Sequence, residues 1–438
     1  MIEGLHILRL GVSLGGIHDS SERYPAPNCH PDTRNAVRQI ILDWVCKESS
    51  ASSFFWLYGP AGAGKTAILQ AIAEFLCSPS GSGQNFGGSF FFSRGKQGRD
   101  QGHFLFSTIA YQLALKVPGL GQHVNHIMKL DPILHTKSMV IQLQNLIVKA
   151  FKYLSPLPQR SYLVIIDGLD ECHDKAAQQS ILRLLCETII VHKLPLRFLI
   201  GSRPESHIRA SFDQKSLYKI THRVVLDETF NPGKDIQVFL RDGFAKICAE
   251  NLSIMSHVKQ PWPSKGIIDL LVQRSSGQFI YAATVLKFVG ADFCSPTKQL
   301  ELVLKPDHTA FSDLDQLYTQ ILSVYPSNVN IVQVLGIINV SHGEFGIASA
   351  TVIEDIFGLE KGHLKQVLRG LLSLMKAKDD RDDDDENDII PHFTHASFSD
   401  YLFDSSRSGK FYVNQQEHED QFTIRSFALI IQLIRSWR

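Results

Sequence analysis

An eight-residue glycine-rich segment constrains this chain more than any other part of its sequence. Residues 59–66 read Gly-Pro-Ala-Gly-Ala-Gly-Lys-Thr, the complete pattern G-x-x-x-x-G-K-[ST]. The apolar run Phe54–Tyr58 before it has the length of a strand, and the apolar residues after it recur at helical spacing. A strand, a glycine-rich turn and a helix in this order predict a phosphate-binding loop. The alternative is a chance glycine-rich turn before a core helix, which these flanks disfavour.

The loop predicts a nucleotide ligand, ATP or ADP, together with Mg²⁺. Its glycines let main-chain N–H groups surround a phosphate, and the helix N-terminus adds its dipole. Lys65 would reach the β- and γ-phosphates, and the Thr66 hydroxyl would ligate Mg²⁺. The predicted cofactor-binding residues of the loop are Gly59, Pro60, Ala61, Gly62, Ala63, Gly64, Lys65 and Thr66.

An acidic cluster further along the chain supplies carboxylates for the same site. The apolar run 162–166 suits a strand buried on both faces of a parallel sheet. Asp167 follows it, at the end where ligands bind in open α/β sheets, and is the predicted second ligand of Mg²⁺. Asp170 and Glu171 are candidates to orient or deprotonate the attacking water. An ordinary acidic turn after a strand is the alternative.

A third strand candidate, 196–200, is followed by Gly201, Ser202 and Arg203. An arginine at the end of a buried strand can contact the γ-phosphate and respond to its presence. A surface arginine beside a turn is the alternative, and the residues alone leave both interpretations open.

These motifs together resemble those of NACHT-type STAND P-loop ATPases, in particular the fungal NACHT modules with a nephrocystin-3-like N-terminal domain. The matching stretches are 57–66, 89–94, 165–172 and 197–204, and the resemblance extends over roughly residues 18–415. It implies a signalling switch whose ADP-bound closed state opens when ATP replaces ADP, and which then self-associates. A use in fungal defence or self/non-self recognition is implied by the resemblance alone.

The resemblance also assigns a role to a histidine far downstream. Residues 393–402 begin Phe-Thr-His-Ala-Ser-Phe, similar to the F-x-H-x-x-F segment of NACHT winged-helix domains. There the histidine contacts the β-phosphate of ADP, so the resemblance implies this role for His395. A packed structural histidine is the alternative. The chain departs from the family at Gly277-Gln278-Phe279, where related switches often carry Gly-x-Pro. Phe279 could stack on a base or fill the core.

Length and composition limit the remaining function classes. A chain of 438 residues is long enough for two to four domains. Its 44 basic and 44 acidic residues give no net charge, so we expect no nucleic-acid partner. Seven scattered cysteines without C-x-x-C spacing indicate a reducing compartment, and neither a membrane span nor a secretory signal is indicated. We therefore expect a cytoplasmic protein.

The predicted fold class is α/β: a P-loop NTPase parallel sheet with helices on both faces, followed by a helical domain and a winged-helix-like domain. An acidic run, 379–386, is expected at the solvated tip of a β-hairpin. The expected domains are a lead-in over 1–50, the NTPase over 51–226, the helical domain over 227–325, the winged-helix-like domain over 326–416 and a C-terminal helix, either complete or truncated, over 417–438.

Three functions remain open from the sequence. The first is the nucleotide switch, a slow ATPase that forms homo-oligomers on activation and works with protein partners supplying effector or sensor domains. Relatives carry such domains at their ends, and this sequence has neither, so it is either a fragment or dependent on partners. The second is a truncated adaptor or decoy without nucleotide switching. The third is a free-running ATPase or kinase. The stimulus, the effector, the oligomer size and the choice of adenine or guanine are not encoded in any motif.

Overall fold

The chain folds into two compact units, Met1–Phe230 and Asn231–Arg438. The computed structural model describes residues 3–47, 52–81, 86–291, 295–305, 313–323, 331–341, 350–357, 360–362, 364, 371, 373–378, 390–393 and 395–436. The acidic run 379–386 lies outside the described residues. The finer domain boundaries expected from the sequence stay predictions.

The first unit is built on a five-stranded parallel sheet. Its strands are β1 (Phe54–Tyr58), β2 (Phe86–Phe91), β3 (Tyr162–Asp167), β4 (Leu196–Ser202) and β5 (Thr221–Val225). The spatial order is β2-β3-β4-β1-β5, and every neighbouring pair is parallel. The predicted α/β fold with a P-loop-type parallel sheet is confirmed.

The sheet is buried on both faces, which explains why its strands are continuous apolar runs rather than alternating ones. In β1, Phe54 and Trp56 belong to the core on one face, and Phe55 and Leu57 belong to the core on the other. Successive side chains of a strand point to opposite faces, so each run fills both cores. At one edge of the sheet, β5 pairs with β1 and is half-exposed.

Helices cover both faces of this sheet. The helix after β1 supplies Ile68, Leu69 and Ile72 to one core, and the helix after β2 supplies Leu105, Phe106 and Ile109 to the other. The α-helices of the first unit are Glu3–Arg9, Asn35–Cys46, Lys65–Cys77, His103–Lys116, Leu120–Leu130, Met139–Gln142, Ala150–Lys152, Lys175–Ile190, Ser206–Asp213 and Lys215–Tyr218, with a π-helical stretch at Leu143–Lys149.

The second unit is mostly helical, and its described residues include one two-stranded antiparallel pairing. Met375–Lys378 pairs with Ile390–Phe393, as the predicted hairpin requires. The α-helices described there are Pro232–Glu250, Leu252–Met255, Lys265–Ser275, Phe279–Val289, Pro296–Leu304, Asp313–Ser323, Ile331–Ser341, Ala350–Phe357, Ala396–Leu402, Ser405–Ser408 and Gln415–Ser436. Among the described helices, none has both the length and the apolar content needed to cross a bilayer.

The segment 265–289 forms two helices, Lys265–Ser275 and Phe279–Val289. Ser276 and Gly277 both adopt left-handed backbone conformations, with φ of 46° and 75°. A left-handed residue ends an α-helix, so the chain turns at this point before the next helix begins at Phe279.

Candidate nucleotide-binding site

Three adjacent strands bring the predicted residues of the first unit to one edge of the sheet. β4 lies between β3 and β1, and the last residues of the strands are in register, with Tyr58 opposite Ser202. Asp167 ends β3, Arg203 follows β4, and the loop 59–66 follows β1. The carboxyl edge of a parallel sheet is where such folds bind ligands.

The glycine-rich loop adopts the backbone that its glycines permit. Gly62 and Gly64 have φ of 73° and 93°, in the left-handed region, and the following helix begins at Lys65. The Lys65 ammonium donates hydrogen bonds to the carbonyls of Gly59 and Pro60, both at 2.8 Å. Burial lowers the pKa of Lys65, and the carboxylates of Asp170 and Asp167 oppose that shift. The lysine is therefore held over its own loop, where a phosphate would meet it.

Asp167 and Thr66 form a set of oxygen ligands that fits Mg²⁺. The Thr66 hydroxyl donates to the Asp167 carboxylate, which is only 2% exposed. Oδ1 of Asp167 has no hydrogen-bond partner within the described part of the chain. Gly201 passes so close that a Cβ there would lie 2.4 Å from Oδ1. Burial raises the pKa of Asp167, so a cation beside this carboxylate would offset its desolvation.

Asp170 is engaged by Arg203, the residue predicted to contact the γ-phosphate. Oδ1 of Asp170 accepts the main-chain N–H of Arg203 at 2.9 Å, and Oδ2 lies 3.2 Å from its Nε. The Asp170 side chain is 3% exposed and that of Arg203 is 21% exposed. This geometry favours a positioning role for Asp170 over the predicted direct action on water.

Glu171 remains as the better placed candidate for a general base. Its Oε2 accepts the main-chain N–H of Arg94 at 3.2 Å, which fixes the carboxylate beside the loop after β2. Burial, followed by the negative charge of Asp170, raises the pKa of Glu171 to about 7. A base whose pKa lies near neutrality suits proton transfer at physiological pH.

Two buried arginines lie behind these carboxylates, and the sequence did not single them out. Arg23 is stacked over the Phe91 ring at 3.8 Å and donates to Gln70 Oε1 at 2.8 Å. Arg99 donates from Nε to the Phe91 carbonyl at 3.2 Å. Burial lowers the pKa of both, that of Arg23 to about 10, while Asp167 opposes the shift in each case. Their charges offset part of the negative charge at the edge.

Two further residues, Gln178 and Arg34, hold the segments that carry the site residues. Gln178 donates to the Cys172 carbonyl at 2.6 Å, and its Oε1 lies 2.6 Å from Nε2 of His207. Arg34, which precedes the helix Asn35–Cys46, donates from Nη2 to the Ala63 carbonyl at 2.8 Å. This hydrogen bond joins the lead-in segment to the phosphate loop. Nothing in the local sequence marks either contact.

His395 belongs to the second unit, where it caps a helix. Its Nδ1 accepts the main-chain N–H of Ser397 at 3.1 Å at the start of Ala396–Leu402. Phe279, the residue at the departure from the family pattern, is partly buried against the core of this unit, with its ring 6.0 Å from that of Phe239. This is the core-filling alternative of the two considered for Phe279.

Comparison with solved structures returns distant likenesses. Orc1 from Aeropyrum pernix, in complex with DNA, is 13% identical, with 91% of this chain and 94% of that chain covered at a TM-score of 0.39. Cdc6p from Pyrobaculum aerophilum is 10% identical, with 94% and 98% covered at the same TM-score. At these scores the likeness adds nothing to the fold described above, and the expectation of no nucleic-acid partner stays a prediction.

Comparison of the sequence is more informative over one part of the chain. No curated protein matches it. Residues 37–203 match the family Nephrocystin 3, N-terminal. The matched range begins in the helix Asn35–Cys46 and ends at Arg203, so it contains the phosphate loop and the acidic cluster. The resemblance predicted from the motifs is confirmed there: residues 37–203 are similar to the Nephrocystin 3, N-terminal family.

Proposed function

We propose that this chain is a nucleotide-operated signalling switch of the NACHT type, which binds ADP or ATP with Mg²⁺ and hydrolyses ATP slowly. The phosphate loop would bind the nucleotide, and Thr66 and Asp167 would hold the metal. Mg²⁺, when bound, supplies positive charge against the phosphate oxygens. Glu171 would accept a proton from the attacking water. The slow hydrolysis of ATP to ADP would then reset the switch.

The observation that carries this proposal is the pairing of Arg203 with Asp170. A switch needs a group that interacts differently with two ligands, because a ligand can shift an equilibrium only by its differential affinity for the two states. Arg203 is at the ligand-binding edge, yet its charge is already satisfied by a carboxylate. A γ-phosphate would compete with Asp170 for this guanidinium, whereas ADP lacks that group.

His395 would act on the opposite side of the equilibrium. We propose that it contacts the β-phosphate of ADP in the closed state, as the family resemblance implies. Nucleotide at about a thousand times its dissociation constant stabilises the state that binds it by roughly 4 kcal/mol. A near-complete swing between two states needs about 5.5 kcal/mol, so nucleotide binding at this concentration supplies most of the free energy that the switch requires. Opening would then permit self-association and contact with effector or sensor partners in the cytoplasm.

The first experiment identifies the nucleotide that the protein carries. We expect near-stoichiometric ADP when natively purified protein is denatured and the released nucleotide is separated by chromatography. Lys65→Ala removes the ammonium that faces the phosphate site and should lose that nucleotide. Lys215→Ala, in the helix Lys215–Tyr218 away from the loop, is the matched control. No bound nucleotide, together with no thermal stabilisation by added Mg-ADP or Mg-ATP, would contradict the proposal and favour the adaptor or decoy.

Turnover separates the switch from the free-running enzyme. The switch predicts that hydrolysis stops after about one ATP per chain unless ADP is exchanged. Sustained multiple turnover per second in the presence of excess ATP would favour the ATPase or kinase instead.

A further inference from the structure

The hydrogen bonds at Nδ1 of His395 favour one position for the ring proton. The main-chain N–H of Ser397 donates to Nδ1 at 3.1 Å, and a main-chain N–H cannot reverse its role. This bond therefore favours Nδ1 as an acceptor. The Ser397 hydroxyl lies 2.7 Å from the same nitrogen, so it donates as well. A neutral imidazole in this setting carries its proton on Nε2.

A tyrosine from another helix completes the arrangement. The Tyr318 hydroxyl, in the helix Asp313–Ser323, lies 2.8 Å from the Ser397 hydroxyl oxygen. Because the Ser397 hydroxyl gives its proton to Nδ1, its oxygen is left to accept from Tyr318. Tyr318 is 1% exposed and Ser397 is 3% exposed, so water does not compete for the bond between their hydroxyls. We call the hydrogen-bonded series Tyr318–Ser397–His395 the relay. Each donor of the relay thus points towards Nδ1.

We propose that Tyr318 is a positioning residue that holds His395 in the Nε2–H form, so that the ring presents a neutral N–H donor to a phosphate oxygen. This inference rests on the proposed contact between His395 and ADP. Without the Tyr318 hydroxyl, the Ser397 oxygen is available to accept a bond from a protonated Nδ1, and only the main-chain N–H of Ser397 then opposes that form. Part of the population would shift to the other tautomer, whose Nε2 is an acceptor and repels a phosphate oxygen.

The relay also makes the histidine sensitive to the docking of one helix. Asp313–Ser323 is joined to the segment 396–408 by two more polar pairs, Thr319 with Tyr401 at 2.7 Å and Asp315 with Arg407 at 2.7 Å. If this helix separates from that segment, His395 loses the Tyr318 bond. Separation of this helix would then weaken the N–H donor through which His395 retains ADP.

The test compares Tyr318→Phe with Tyr401→Phe in the full chain. Each removes one hydroxyl from a tyrosine that is at most 1% exposed in the same interface: the Tyr318 hydroxyl is bonded to Ser397, and the Tyr401 hydroxyl is bonded to Thr319. Both should lower the unfolding temperature similarly. Dissociation of a fluorescent ADP analogue should quicken about three- to tenfold in Tyr318→Phe and change less than about twofold in Tyr401→Phe. Equal dissociation rates in the two variants would overturn the proposal.

The tautomer is read directly from the ¹⁵N shifts of labelled histidine, with the His395 signals assigned by their loss in His395→Gln. We expect the Nε2–H form in the unmodified chain and a mixture in Tyr318→Phe. Adding Ser397→Ala to Tyr318→Phe removes the oxygen that would accept from Nδ1 and keeps the main-chain N–H, so the Nε2–H form should return. A proton on Nδ1 in the unmodified chain would overturn the inference.

The two proposals fail in different ways. If His395→Ala leaves ADP dissociation unchanged, the contact between His395 and ADP is wrong. The ¹⁵N shifts still decide whether Tyr318 sets the tautomer. If His395→Ala releases ADP but the tautomer does not respond to Tyr318→Phe, the switch stands and the relay is wrong.

Discussion

The two units each contain a buried aspartate paired with an arginine, and the two pairs differ in construction. In the second unit, Asp315 binds two guanidinium nitrogens of Arg407, Nη2 at 2.7 Å and Nε at 3.1 Å. In the first unit, Oδ1 of Asp170 accepts the main-chain N–H of Arg203, and Oδ2 lies 3.2 Å from the Arg203 Nε. The carboxylates are equally buried, with side chains 2% and 3% exposed.

Their surroundings differ more than their geometry. Lys65, Asp167 and Glu171 lie close enough to Asp170 for charge interactions, and burial leaves Glu171 with a pKa of about 7. At the other pair, the Asp315 bond is the largest influence on Arg407 and raises its pKa. Two parallel hydrogen bonds from a planar guanidinium to the two oxygens of a carboxylate are the most specific form of an arginine–carboxylate pair. We infer that the Asp315 pair serves packing, whereas the Asp170 pair can exchange partners.

The largest expected effect tests whether the charge cluster around Asp170 is functional. Glu171→Gln keeps the size of the side chain and removes its basicity, so ATP hydrolysis should fall by about 10²- to 10⁴-fold. In the unmodified chain the carboxylate must be ionised to act. The logarithm of kcat/KM for ATP should therefore rise with pH and level off above about 7. The measurement is a pH profile of phosphate release.

The same shift has a consequence for stability that serves as a control. The folded chain holds a proton on Glu171 between pH 4.5 and about 7, where the unfolded chain has released it. The free energy of unfolding should therefore fall as pH rises through this window, and Glu171→Gln should reduce that fall. An unchanged pH profile of hydrolysis in Glu171→Gln would contradict the assignment as base.

The next effect separates the two aspartates by stability. Asp315→Ala removes a buried carboxylate that accepts two hydrogen bonds from Arg407, whose side chain is 31% exposed, and should cost about 1.5–3 kcal/mol in the free energy of unfolding. Asp170→Ala also removes repulsion with Asp167 and Glu171, so its cost should be lower, about 1–2 kcal/mol. Denaturant unfolding of each variant is the measurement. Equal losses would break the distinction drawn between the pairs.

The matched arginines separate the pairs by ligand discrimination. Arg203→Gln should weaken binding of a non-hydrolysable ATP analogue by about 10- to 100-fold and change ADP affinity little, because ADP lacks the γ-phosphate. Arg407→Gln should lower stability and leave the ratio of the two affinities unchanged. Titration of both nucleotides by calorimetry measures this ratio. A fall in ADP affinity equal to the fall for the ATP analogue would remove Arg203 from γ-phosphate sensing.

Local sequence patterns predicted the central strands and the residue types at the site. The run Phe54–Tyr58 is a strand with the predicted bounds, and Asp167 ends β3 beside the loop. These strands are apolar on both faces, so burial alone specifies them. The strand Thr221–Val225 was not singled out, because an edge strand that is half-exposed lacks such a run.

Partners across the fold could not be predicted from local patterns. Asp170 and Arg203 were each proposed for the site, but their mutual ion pair joins residues on two strand ends. The main-chain contact of Arg94 with Glu171 and the bond from Arg34 to Ala63 likewise depend on tertiary packing. Roles that follow from residue type could be predicted from the sequence, whereas roles that depend on an interaction partner could be assigned only from the structure.

The smallest expected effect concerns the support of the acidic turn by Gln178. Its side chain is 2% exposed and joins the Cys172 carbonyl to His207, four residues after Arg203. Gln178→Ala should lower the free energy of unfolding by about 1–2 kcal/mol, since a buried carbonyl loses its donor. It should also loosen the turn that holds Asp170. ATP-analogue affinity would then fall more than ADP affinity, in the same direction as for Arg203→Gln but by a smaller factor. If stability falls while both affinities stay unchanged, the turn is held by its other contacts, and the exchangeable pair depends on Asp170 and Arg203 alone.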